Sequence, residues 1–98
     1  MYIKIHEAYR KIVALVDADL MNKTFEEGIK QIKINPHFFQ GEEKNKEEVL
    51  EILKDLNKED ATFNIVGKES VQTAIEARVI NPDGIFTIQE IPIALALL

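Results

Sequence analysis

Residues 61–79, ATFNIVGKESVQTAIEARV, decide the fold class of this chain. The first six residues favour a β-strand, one glycine follows, and the apolar residues after it recur with the period of an α-helix. A strand that enters a helix through Gly67 leaves the first backbone N–H groups of the helix without helical partners. We expect these N–H groups to be free, and such a helix start can bind an anion or a carbonyl oxygen.

The flanking segments extend this pattern into an α+β fold. Alternating or continuous apolar runs predict strands over residues 3–5, 12–16, 29–34 and 85–89, and an extended segment over 91–98. A helix is predicted over residues 46–56, because Asn45 and Glu48 have capping-box spacing before an apolar stripe of helical period. We expect residues 1–98 to form one domain, with a mixed, mainly antiparallel sheet of five or six strands and two main helices.

Several turns are also readable. Residues 17–22 predict a single helical turn. An aspartate caps its start, and Asn22 ends it in a left-handed conformation. Thr24 and Glu27 have capping-box spacing, but Gly28 follows at once, so both a turn and a helix remain open. Residues 40–46 indicate a polar loop. Pro92 cannot donate to a ladder, which predicts a place at an edge or a bulge.

Composition excludes several classes of protein. The net charge is -5, from 17 acidic and 12 basic residues, which predicts no direct binding to naked nucleic acid. Cysteine is absent, which excludes disulfides, thiolate zinc sites and a cysteine nucleophile. The start of the chain lacks the apolar core of a signal peptide, and the longest apolar stretch is too short to span a bilayer. We expect a cytoplasmic protein that does not bind membranes.

The residues after Gly67 resemble a phosphate-binding loop only in part. The Walker pattern requires a glycine at Thr62 and a hydroxyl residue at Glu69. A helix start with Lys68 and Ser70 remains, and Lys23 and Thr24 follow a short turn elsewhere. These five residues (Lys23, Thr24, Gly67, Lys68 and Ser70) form our hypothetical site for an anionic ligand. The alternative is a glycine that only permits a tight exit from the strand.

The chain offers no recognisable catalytic set. His6 and His37 lack partners at metal-ligand spacing, and no Ser-His-Asp arrangement can be argued from the sequence. We therefore predict no catalytic residue, no metal and no cofactor. The sequence favours a protein that is not an enzyme, without deciding the question.

The C-terminal run IPIALALL is the other candidate site. Alternation places Ile91, Ile93, Leu95 and Leu97 on one face of a strand, and Ala94, Ala96 and Leu98 on the other. One interpretation is a strand buried within the sheet. The other is an apolar edge that pairs with a second copy or with another protein.

Four landmarks in order resemble an archaeal family known as domain of unknown function 424: DADLMNKTFEEG at 17–28, FFQGE at 38–42, NIVG at 64–67 before a helix, and Asn81-Pro82 after it. The resemblance implies an archaeal, cytoplasmic origin and an α+β fold, and it implies no activity. Asn22 and Arg78 stand where the family has glycines, and Lys68 where it often has an acid. Ile93 and Leu95 replace a histidine and a glutamine of the family pattern.

Two hypotheses for function follow. The first is a non-catalytic binding module that docks on a protein or ribonucleoprotein assembly, or on a copy of itself, through Ile91, Ile93, Leu95 and Leu97, with Lys23 and Lys68 as further contacts. The alternative is a protein or enzyme that binds a small anionic ligand at the Gly67 helix start.

Overall fold

Eight strands form two sheets in the computed structural model, which describes residues 1–97. The main sheet contains Tyr2–His6 (β1), Lys11–Val16 (β2), Glu42–Glu43 (β5), Ala61–Val66 (β6), Phe86–Ile88 (β7) and Ile91–Leu97 (β8), in the order β5-β1-β2-β6-β8-β7. The second sheet is a hairpin of Thr24–Glu27 (β3) and Lys30–Lys33 (β4).

The described residues also contain three α-helices, Pro36–Phe39 (α1), Lys46–Leu56 (α2) and Lys68–Glu76 (α3), and 3-10 turns at Ala18–Leu20 and Pro82–Gly84. The predicted α+β class is confirmed, with six strands in the main sheet and α2 and α3 as the two main helices. No helix among residues 1–97 is long and apolar enough to cross a membrane.

The centre of the main sheet is a parallel pair, β2 with β6, in which Val16 lies beside Val66. The other pairs of this sheet, β1 with β2, β1 with β5, β6 with β8 and β7 with β8, are antiparallel. Residues 13–16 are completely buried, because β2 has a strand on each side and apolar layers on both faces. The continuous apolar run of β2 is therefore explained by its central place in the sheet.

The two faces of the main sheet have different covers. Helices α2 and α3 pack on one face, against Leu15, Phe63, Ile65 and other inward residues. A smaller cluster on the other face joins Val16, Val66 and Ile93 to apolar residues of α1 and its surroundings. On that same face Ile12, Thr62 and Asn64 are only half-buried, so the smaller layer leaves the far ends of the strands partly bare.

Helix α2 begins and ends where the sequence predicts. The Asn45 side chain accepts from the Glu48 N–H at 2.9 Å, and the Glu48 carboxylate accepts from the Asn45 N–H at 3.1 Å. Val49, Leu53 and Leu56 are buried against the sheet. The capping box and the apolar stripe are both local signals, which is why this helix is predictable from its own residues.

The β3–β4 hairpin corrects two expectations. Thr24–Glu27 is a strand, neither the turn nor the helix that its spacing left open, because it pairs with Lys30–Lys33. Gly28, at φ +63°, and Ile29 form the two-residue turn, so the predicted strand starts one residue late and Ile29 is fully exposed. Residues 7–10 connect β1 to β2, which begins at Lys11.

Strand β5 was expected to be part of a polar loop. It pairs with β1 through Tyr2–Glu43 and Ile3–Glu42. Gly41 permits this approach, since a Cβ at that position would overlap the Ile3 carbonyl oxygen and lie 2.9 Å from the Lys4 Cα. Strand β5 therefore depends on its contact with β1, which cannot be predicted from residues 40–46 alone.

Candidate interaction edge

Strand β8 lies between β6 and β7, but β7 covers only part of it. Antiparallel pairs with β6 run from Ile93 to Leu97, whereas pairs with β7 stop at Ile93, opposite Phe86. Residues 94–97 therefore have a strand neighbour on one side and none of β7 on the other. We call these four residues the open edge of β8.

The direction of the backbone groups follows from Pro92. Its carbonyl oxygen accepts from the Gly67 N–H at 2.9 Å, on the side of β6. Successive residues of a strand point their N–H and C=O groups to opposite sides. The backbone groups of Leu95 and Leu97 consequently point away from β6, beyond the point where β7 ends. The open edge thus presents two donor–acceptor pairs to an incoming strand.

Pro92 itself does not lie at an edge or a bulge, contrary to the sequence prediction. It pairs with Thr87 of β7, and on its other side it meets Gly67, one residue past the end of β6. The Gly67 carbonyl accepts from the Val71 N–H of α3 at 2.9 Å. An N–H at position 92 would face the Gly67 carbonyl oxygen, which already accepts from Val71. The missing N–H of proline is therefore acceptable there.

The side chains of β8 alternate as predicted. Ala94 is buried on the helix face, and Ile93, 1% exposed, is part of the smaller cluster on the other face. Ile91 is half-buried against that cluster, whereas Leu95 is 61% exposed. Leu95 pairs with Asn64 of β6, on the bare part of the sheet face. The side chain of Leu97 and the whole of Leu98 lie outside the described residues.

Two shallow cavities lie beside the open edge. One, of about 280 Å³, is bounded by the 79–84 segment and by Ala94, Leu95 and Ala96. The second, of about 430 Å³, continues along Ile75 and residues 78–82. Because they share Val79, Ile80 and Asn81, they form one groove along the helix-side flank of the open edge. This groove gives an added strand room to place side chains.

The opposite edge of the sheet is also partly open, but it is charged. The β5 pairs stop at Ile3, and Ile5 of β1 is 38% exposed beside a cavity of about 480 Å³. Lys44 forms an ion pair with Glu42 at 3.0 Å, and this hydrogen bond raises the pKa of Lys44 above its ordinary value of 10.5. Glu43 lies beside Glu42 in β5. Any strand added here would meet fixed charges.

Asp17, the residue that follows β2, caps the start of α3. Asp17 accepts from the Glu69 N–H at 3.1 Å, from the Ser70 N–H at 2.7 Å and from the Ser70 hydroxyl at 2.6 Å. The expectation of free amides is therefore wrong for Glu69 and Ser70. The predicted cap is corrected as well, because the Asp17 side chain caps α3 and makes no cap hydrogen bond to its own 3-10 turn.

Gly67 makes this cap possible. Its φ is +112°, and a Cβ there would overlap the Asp17 carboxylate. The glycine thus has the tight-exit role considered above and also leaves room for a carboxylate. Ser70 is completely buried, so its hydroxyl is committed to Asp17.

The predicted ligand residues are only partly brought together. Gly67 and Lys68 line a cavity of about 210 Å³ with Asp17, Asp19, Leu20 and Ile91. Lys23 and Thr24, both exposed, are not among the residues that line it. A ligand at the helix start would have to displace the Asp17 carboxylate and face Asp19. The ligand-binding role of these residues stays a prediction.

The His6 ring packs on α1, whereas the His37 side chain is exposed. The ring of His6 stacks on Phe38 with centroids 4.9 Å apart, and its Nε2 lies 2.9 Å from the Phe38 carbonyl oxygen. His37 contributes its carbonyl oxygen, which accepts from Lys4 Nζ at 2.8 Å. Among residues 1–97 no group of three histidines, aspartates and glutamates is placed to hold a metal ion.

Sequence reasoning missed three participants. Asp17 is the cap of α3, and 52 residues separate it from Glu69. Asn64 and Phe86 border the open edge only because of their strand partners. The absence of charge in residues 91–98 was visible in the sequence, and it is the signal that marks this edge.

Comparisons with known proteins concern family and fold. A family model described as "Protein of unknown function (DUF424)" matches residues 5–97. The crystal structure of an uncharacterized conserved protein from Methanopyrus kandleri has a TM-score of 0.85 and 16% sequence identity, covering 96% of this chain and 87% of that one. At that identity the likeness shows a shared fold. No curated protein matches the chain.

Proposed function

This chain belongs to the DUF424 family of proteins of unknown function, and we propose that it is a non-catalytic binding module, archaeal and cytoplasmic, whose C-terminal strand docks on a protein. A single observation carries the proposal: an open, uncharged strand edge with Leu95 61% exposed beside it. The origin of the similar crystal structure, Methanopyrus kandleri, supports the archaeal part.

The binding chemistry is the addition of a strand to a sheet. Backbone N–H and C=O groups at Leu95 and Leu97 hydrogen-bond to an extended segment of the partner, which gives affinity without regard to sequence. Specificity comes from side chains that contact Leu95 on one face and the groove along Val79 and Ile80 on the other. An uncharged edge favours a partner segment that is itself apolar.

The partner's contacting element is protein, either free or as part of a ribonucleoprotein assembly. A strand edge recognises polypeptide backbone, whereas nucleic acid binding depends on lysine and arginine that neutralise phosphates. The net charge of -5 and the uncharged β8 supply no such surface. Lys23 and Lys68 are exposed and remain further contacts in this proposal.

The test is affinity purification of the tagged protein from its native host at low salt, with mass spectrometry and nuclease treatment of the eluate. Two variants are matched: Leu95→Asp places a charge at the open edge of β8, and Ile5→Asp places one at the opposite edge. Circular dichroism and melting curves establish that both are folded.

We expect protein partners to be captured in stoichiometric amounts by the wild type and by Ile5→Asp, and to be lost with Leu95→Asp. Equal capture by the two variants would overturn the proposal. A species whose capture depends on intact nucleic acid, with no protein that responds to Leu95, would overturn it as well.

A further inference from the structure

We infer that the strand added to the open edge is β8 of a second copy of this chain, related by a two-fold axis that passes between the two Ala96 residues. The inference rests on the proposed function and names the partner of the same edge. It follows from the register of the backbone groups, the order of residues on the edge, and the distribution of charge.

The register is self-complementary. The outward-pointing groups belong to Leu95 and Leu97, which stand one residue on each side of Ala96. An antiparallel copy therefore places Leu95 opposite Leu97 of the copy and Leu97 opposite Leu95 of the copy. Each such pair exchanges two backbone hydrogen bonds, and Ala96 faces itself as a pair without hydrogen bonds. This is the isologous contact that a closed dimer needs.

The space along the edge fits the same register. In this arrangement Leu97 of the copy lies opposite Leu95, two residues away from Ile93, where β7 has its last pair with β8. Strand β7 and β8 of the copy therefore pair with different residues of β8, and the 3-10 turn at Pro82–Gly84, which also contacts β8, must leave room for the copy. The two six-stranded sheets join into one continuous sheet.

Charge makes the β8 edge a less costly contact between two copies than the β1 edge. Two molecules that each carry a net charge of -5 repel one another, so a contact between them is least costly where neither contributes charge. Residues 91–98 contain no charged residue. The β1 edge, with Glu42, Glu43 and Lys44, would bring like charges together around its axis.

Cysteine cross-linking tests the axis directly, because the chain has no cysteine of its own. In Ala96→Cys the Cα atoms of residue 96 in the two copies would be about 4.5 Å apart, which is within the range of a disulfide. Leu95→Cys is the matched control, since it is more exposed but faces Leu97 of the copy. Tyr9→Cys, fully exposed at the β1–β2 turn, reports random collision.

We expect Ala96→Cys to form a disulfide dimer on mild oxidation more than about tenfold faster than either control, because the two thiols are held together. Sedimentation equilibrium of the cysteine-free protein should show a dimer that Leu95→Asp abolishes and Ile5→Asp preserves. The second measurement does not depend on how well Ala96→Cys folds.

Cross-linking of Ala96→Cys at the rate of the controls, or a monomer at all concentrations, would overturn the inference. If partner capture still depended on Leu95 in that case, the proposed function would stand with a different protein as partner. If neither association nor capture responded to Leu95→Asp, the proposed function would be overturned too.

Discussion

The two edges of the main sheet are both incompletely covered, but they differ in charge. Each ends in a strand that is too short to cover its neighbour: β5 has two residues and β7 has three. At the β1 edge the uncovered part is surrounded by Glu42, Glu43 and Lys44, which discourage an added strand. At the β8 edge Leu95 is exposed and residues 91–98 are uncharged.

This difference teaches that two open edges of one sheet can differ in the charge that an added strand would meet. Both edges have a cavity alongside, of about 480 Å³ at the charged edge and of about 280 and 430 Å³ in the groove at the β8 edge. Charge separates a protected edge from one that is available to a partner. The predictions below alter the cover, the anchoring or the charge of one edge while the other serves as reference.

The largest effect is expected from Gly41→Ala, which removes the cover of the β1 edge. The new Cβ would overlap the Ile3 carbonyl oxygen, so β5 must move away from β1. We expect the free energy of unfolding to fall by about 3 kcal/mol, measured by chemical denaturation. Gly84→Ala is the control, because a Cβ there meets no atom within 4 Å. An equal loss in both variants would contradict this account of β5.

Asp17→Ala should lower stability without changing either edge. It removes the carboxylate that accepts from Glu69 and Ser70 at the start of α3, and we expect a loss of about 2 kcal/mol. Asp19→Ala, an exposed residue of the same turn, is the control in thermal denaturation. Association measured by sedimentation should equal that of the wild type, and a change in it would show that the β8 edge depends on this cap.

Glu90→Gly should strengthen the hairpin that covers the upper part of β8. Gln89 and Glu90 form the two-residue turn between β7 and β8, with φ of 52° and 66°. Such turns favour glycine, and we expect a gain of about 1 kcal/mol in the free energy of unfolding. Glu90→Ala removes the same charge but keeps the Cβ, so it should give no such gain. A similar gain from alanine would assign the effect to charge.

The smallest effect is expected from alkaline pH, which should weaken the Lys44–Glu42 ion pair at the β1 edge. The hydrogen bond to Glu42 raises the pKa of Lys44 above 10.5, so its stabilising effect is complete below 10.5 and is lost as the pH rises through the folded-state value. Melting temperatures from about pH 9 to 11.5 should fall less steeply for Lys44→Gln than for the wild type. Lys11, paired with Glu59, titrates in the same direction in both proteins.

Much of the fold was predictable because its signals are local. Helix α2 carries its own capping box and apolar stripe, and Asn22 has the left-handed conformation that its position predicts, at φ 68°. Arg78 is left-handed too, at φ 61°, where the resemblance indicated a glycine. It ends α3 with hydrogen bonds from Arg78 N–H to Ile75 and from Val79 N–H to Ala74, a motif that favours glycine.

The remainder depended on partners distant in sequence. Strands β3 and β5 contain mostly polar residues and exist through their pairing with β4 and β1. The Asp17 cap joins the residue after β2 to the start of α3, which follows the neighbouring strand β6. The sequence indicated an apolar strand at the C-terminus, but its open part is defined by where β7 stops, which no residue of β8 reveals.

The parallel pair at the centre of the sheet also has a consequence for folding kinetics. Lys11 pairs with Ala61, so a loop of half the chain must close before the central ladder forms, at a cost in chain entropy that slows folding. The β1–β2 hairpin can form early, but Val13–Val16 then lack their neighbour until β6 is available. During synthesis the apolar strand β2 waits for the second half of the chain, and refolding should be slower than in a domain of local hairpins.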